Sequence, residues 1–136
     1  MQHNNISVMD KVIAIFSYLT VGFIGMIWFL INTLFIKKPM SNYLKYNLVQ
    51  SFIISIFLAI FSLAYNIISY FLFDLGPLGN MFRAAHNFIF ATPIFNTLTL
   101  VNFVLLAFVI YLSVIAFFGK LPYVPYITDV AKKIFD

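Results

Sequence analysis

Cysteine and glutamate are both missing from this chain, and only 9% of its 136 residues are charged. Without a thiol there is no disulfide framework, thiolate metal site or cysteine nucleophile. Without glutamate the acids are Asp10, Asp74, Asp129 and Asp136, which sit at the ends of apolar runs or in the breaks between them. Intramembrane enzymes rely on a Ser/His pair, two close carboxylates or a His-Glu metal cluster at helical spacing. None of these patterns is present, so no enzymatic activity, cofactor or metal is expected. A soluble fold is excluded on similar grounds. Roughly a quarter of the residues of an ordinary soluble domain are charged, whereas 63% of this chain is hydrophobic and its mean hydropathy is +1.02.

What is present instead is a series of long apolar runs closed by basic residues. The formal charge of +4 belongs to lysines and one arginine at the ends of those runs, where anionic headgroups attract them. Membrane lipids are therefore the expected partners, together with other membrane proteins or further copies of the chain, and nucleic acid is not. The length fits a single domain, residues 1–136.

Met1 to Ser7 are polar and expected to be loose, and Ser7 is placed to cap a helix whose first turn contains Asp10. The first span is predicted over about 12–36, long enough for a hydrocarbon core of about 30 Å, and it is too long for a signal peptide. Ala14, Tyr18, Gly22, Gly25, Phe29 and Asn32 fall on one face of that helix and form a packing seam. Lys37-Lys38-Pro39 ends it, and Ser41 or Asn42 caps the next helix. The second span, about 48–73, carries a polar stripe of Asn47, Ser51, Ser55, Ser62, Asn66 and Ser69 at helical spacing. Asp74-Leu75-Gly76-Pro77 breaks the chain. An amphipathic helix over about 80–89 is too short to span and lies in the interface; its His86 reads as a plain polar contact. The third span is predicted over about 93–118, with Asn96 and Asn102 turned toward the second helix. Gly119 to Tyr126 is an extended connector, and Thr128 caps a last amphipathic helix over about 128–135.

The expected fold is thus an all-α integral membrane bundle with three transmembrane helices, an interfacial helix between the second and third, and a C-terminal amphipathic helix. Four membrane-inserted helices are the alternative. Three spans put six basic residues on the C-terminal side against Lys11 and Arg83, which predicts a cytoplasmic C-terminus and an outside N-terminus.

Asp10-Lys11 with Ala14-x-x-Ser17-Tyr18-Leu19, Lys45-Tyr46-Asn47-x-x-Gln50-Ser51, and Gly119-Lys120-Leu121-Pro122 leading to Ile127-Thr128-Asp129-Val130-Ala131 resemble small bacterial membrane proteins related to the Tic-type import component of the chloroplast inner envelope. The match extends over most of the chain, but Lys45-Tyr46-Asn47 stands where family members often have Arg-Phe-His or Arg-Phe-Asn, and residues 74–92 carry no matching motif. The resemblance implies the bacterial inner membrane and a part in a protein translocation or membrane-assembly complex. An oligomeric pathway for a small solute or lipid is the other reading. The candidate docking residues, for a partner or a neighbouring helix, are Lys45, Tyr46, Asn47, Gln50, Ser51, Asn66, Asn96 and Asn102. Of these, Tyr46, Asn47 and Gln50 are expected to hydrogen-bond the Gly119–Tyr126 connector or a partner's backbone.

Overall fold

The computed structural model describes residues 6–135, so the polar Met1–Asn5 expected to be loose and the terminal Asp136 lie outside the described residues. The chain is mostly helical. In order it forms α1 (Val8–Leu19), α2 (Phe23–Ile31) continued by a π-helical turn (Asn32–Ile36), α3 (Asn42–Phe73), α4 (Pro77–Phe90), a two-stranded antiparallel hairpin of β1 (Pro93–Phe95) and β2 (Leu98–Thr99), α5 (Leu100–Phe117) and α6 (Ile127–Phe135). Backbone packing divides it into two units, one of residues up to Ile56 together with those from Val109, the other Phe57–Phe108.

Two helices, α3 and α5, are long and apolar enough to cross a membrane. Little of either is buried, and the outward side chains are large and apolar: Phe57, Ile60 and Phe61 on α3, Val104, Leu106 and Ile110 on α5. The core helix of a soluble protein would hide such residues.

The predicted first span is not one helix. It breaks at Thr20-Val21-Gly22, where Val21 and Gly22 have φ of 50° and 88°, and the chain turns back on itself. A straight helix would hold Asp10 and Ile36 about 39 Å apart, yet both line one cavity. The break is self-sufficient in hydrogen bonds. Gly22 N donates to Ser17 O at 2.7 Å and Phe23 N to Thr20 O at 3.2 Å, while the Thr20 hydroxyl donates to Phe16 O and accepts from Ile24 N. Gly22 is required on two counts, its left-handed φ and its contact with α3, since a Cβ there would lie 2.9 Å from Ser51 O. The expected small-residue seam survives the break: Ala14, Tyr18, Gly22, Gly25 and Asn32 are buried, and Phe29 is not.

In the first unit the helix ends are clear. Ser7 Oγ accepts Asp10 N–H at 3.0 Å, capping α1 as its position predicts. Ser41 Oγ accepts Leu44 N–H at 3.2 Å and caps α3, which starts earlier than the predicted span. The Asn32 side chain donates to Lys38 O at 2.9 Å and closes the end of the π-helical turn. Ile13, Leu44 and Leu48 form an apolar core against which Trp28 and Met40 pack. The start of α1 lies beside the start of α3, through Ser41 and Asp10, and beside the end of α5, where a Cβ on Gly119 would be 3.3 Å from the Lys11 side chain.

In the second unit Pro77 opens α4, where a missing N–H costs nothing. The helix folds back on the end of α3: Arg83 donates to Phe73 O at 3.0 Å, and His86 Nδ1 meets the Tyr65 hydroxyl at 2.7 Å with Phe90 stacked beside it. At 14 residues, α4 is about 21 Å long and falls short of a crossing. The predicted third span also starts late. Pro93 to Thr99 form the hairpin, with Asn96 at φ 53° in its turn, a conformation asparagine tolerates better than most residues. The helix begins only at Leu100, with Thr99 Oγ1 3.4 Å from Asn102 N. Thr128, expected to cap the last helix, instead lies inside its first turn.

Candidate functional site

The polar residues at the entrance of α3 are drawn into one buried network in the first unit. Asn47, Gln50 and Ser51 lie three and four apart, so one face of α3 presents them together, and none is more than 1% exposed. Asn47 Oδ1 accepts from the Tyr18 hydroxyl at 2.9 Å, and its amide donates back to Tyr43 O at 2.8 Å. Ser51 shares a hydrogen bond with Ser17 and donates to Leu48 O. Gln50 donates to Pro122 O at 2.7 Å. Its Oε1 lies 3.3 Å from the Thr128 hydroxyl, which is equally near Pro122 O and accepts Val124 N–H at 2.8 Å. A hydroxyl has one proton to give, so Thr128 serves only one of those two oxygens at a time.

Every one of these groups is therefore occupied from within the chain. Fully satisfied buried networks rigidify the elements they join, and here they join α1, α3 and the connector before α6. Two further bonds fix the same region: the Tyr43 hydroxyl donates to Ala116 O at 2.6 Å, and Tyr111 to Tyr123 O at 3.3 Å.

Three of the other expected docking residues, Asn66, Asn96 and Asn102, do not join it. Lys45 and Tyr46 are half-buried at the start of α3. Asn66, Asn96 and Asn102 are exposed, Asn66 on α3, Asn102 on α5 and Asn96 in the hairpin turn. Of the bonds expected to the Gly119–Tyr126 connector, Gln50 makes one, to Pro122 O; Ser17 and Tyr43 were not expected in the network, and Thr128 only as a cap. A signal for the first existed in Ser17 and Gly25: both are small, and they meet across the α1–α2 turn, where a Cβ on Gly25 would collide with Ser17 Oγ.

Beside the network, at the same end of the unit, a cavity of about 530 Å³ opens between the start of α1, the end of α2 and the start of α3. Asp10, Trp28, Asn32, Lys38, Ser41 and Leu44 contribute to its lining. Asp10 Oδ2 accepts the Ser41 hydroxyl at 2.5 Å. Trp28 Nε1–H is buried without an acceptor among the described residues, a deficit of about 1–3 kcal/mol that an arriving acceptor would remove. A second hollow of about 230 Å³, almost wholly apolar, lies between α2 and α3 against Gly25, Met26, Leu48 and Phe52.

Comparison with known protein families, curated proteins and solved structures finds no match.

Proposed function

We propose that this chain is a non-enzymatic multi-pass protein of a bacterial cytoplasmic membrane, acting as a subunit of a protein translocation or membrane-assembly complex. The observation that carries the reading is the division of its amides into two sets. Asn47 and Gln50 are spent on internal bonds, whereas Asn66 and Asn102 stand exposed on helices whose outward residues are mostly apolar. Water would satisfy an exposed amide, but hydrocarbon does not, and in a bilayer such a side chain seeks a partner on another helix. The Tic-type resemblance supports translocation as the context, and the segments that carry it, around Ser17-Tyr18, Asn47–Ser51, Pro122 and Thr128, are those that meet in the network.

The proposed topology has two crossings, α3 and α5, with α1 and α2 as a re-entrant hairpin. At 12 residues α1 is about 18 Å long, too short to cross, and its turn leaves few backbone groups for lipid to satisfy. Both termini then lie on one side. All of the chain's lysines belong to the first unit and Arg83 alone to the second, so the basic side is cytoplasmic. This revises the outside N-terminus expected from three spans.

Photo-crosslinkers at positions 66 and 102 in native membranes test the function. The expected product is a crosslink from both positions to the same second membrane protein, which also copurifies in fixed ratio and is lost with Asn66→Leu. Crosslinks to copies of this chain alone would replace the complex by the oligomeric pathway for a small solute or lipid.

A further inference from the structure

We infer that the cavity at the head of the α1–α2 hairpin is a binding site for a phosphatidylethanolamine headgroup, with an acyl chain of the same lipid in the apolar hollow below it. The cavity offers the two halves of a zwitterion what each requires. Asp10 supplies a carboxylate that is bonded to the Ser41 hydroxyl and, among the described residues, to no lysine or arginine; a primary ammonium both neutralises it and donates to it. Trp28 Nε1–H, in the cavity wall, lacks an acceptor among the described residues, and Lys38 lies at the same cavity. Both are donors suited to a phosphodiester oxygen.

The hollow argues for a lipid over a free phosphoethanolamine. Leu44 and Trp28 line the cavity, and Leu48 and Gly25, about one helical turn later on α3 and earlier on α2, line the hollow. A mixed lining that includes Asp10, Lys38 and Ser41 gives way to an almost wholly apolar one along one α2–α3 seam, the sequence of environments that a phospholipid presents from headgroup to tail. The cavity, at about 530 Å³, is of the size of small-ligand pockets, and the hollow adds about 230 Å³.

This inference rests on the membrane reading, and the test separates the two. Trp28 is the only tryptophan of the chain, so its fluorescence reports on the cavity without a label. The full-length protein is placed in nanodiscs of phosphatidylcholine, and phosphatidylethanolamine is titrated in. A saturable change in Trp28 emission is expected with phosphatidylethanolamine and not with further phosphatidylcholine, whose trimethylated nitrogen has no proton to donate to Asp10. Loss of one charge-assisted bond weakens binding about tenfold, and Asp10→Asn should shift the midpoint by that factor. In native mass spectrometry, Asp10→Asn and Trp28→Phe should each retain less of the lipid than the unaltered chain. Equal responses to the two lipids, an unshifted midpoint for Asp10→Asn, or an equal response to soluble glycerophosphoethanolamine would each overturn the lipid site while leaving the membrane reading intact. A protein that is monodisperse in buffer and does not enter nanodiscs would overturn both.

Discussion

Gln50 is the side chain on which the C-terminal connector depends most. It is wholly buried, its amide nitrogen holds Pro122 O, and its oxygen faces Thr128. Gln50→Leu keeps the bulk but removes the shorter of the two donors to Pro122 O, leaving it the Thr128 hydroxyl at 3.3 Å, at a cost of about 1 kcal/mol. The connector should then be cleaved faster by protease in nanodiscs, and an unchanged cleavage rate would rule out the tether. The Tyr18–Asn47 pair makes a separate test. Tyr18→Phe and Asn47→Leu together should lose less than the sum of the two alone, by about 1 kcal/mol in reversible unfolding. Additive losses would mean that the bond seen at 2.9 Å contributes nothing.

At the scale of elements, the decisive feature is the turn between α1 and α2. Gly22 occupies a left-handed conformation against the α3 backbone, and a Cβ has neither the φ nor the space it needs. Gly22→Ala should therefore destabilise the protein by about 1–3 kcal/mol. Its neighbour Val21 already holds φ at 50° despite its branched Cβ, so Val21→Gly should stay within about 1 kcal/mol of the unaltered chain. Reversal of that order in thermal denaturation would argue for a straight first helix. The hairpin before α5 follows the same logic: Asn96, at φ 53°, should accept glycine and resist valine.

Taken as a whole, the molecule gathers its lysines at the end of the first unit where α1 and α3 start and α5 ends, or in the segments that follow α5. The absence of cysteine makes the topology directly measurable. Single cysteines replacing Lys11, Lys37 and Lys132 should all react with an impermeant thiol reagent from the same side of a sealed vesicle. One replacing Val21 should be protected from both sides. Labelling of positions 11 and 132 from opposite sides would restore three crossings.

Composition pointed to long apolar segments, because 63% hydrophobic residues are hard to hide in a chain of 136, and the structure contains two helices long and apolar enough to cross a membrane. Spacing determined α3 and α6 and the caps at Ser7 and Ser41, since capping and amphipathic periodicity are local properties. The network at Asn47, Gln50 and Ser51 was legible as a polar face, and the connector was legible as a partner of Gln50, but Ser17 and Tyr18 were not: they are distant in sequence and reach the network only through folding. The tertiary structure alone decided that residues 12–36 turn back at Gly22. Apolar periodicity is the same for a straight helix and for two helices joined by a tight turn, and the choice between them was made by the close approach of Gly22 to the backbone of Ser51.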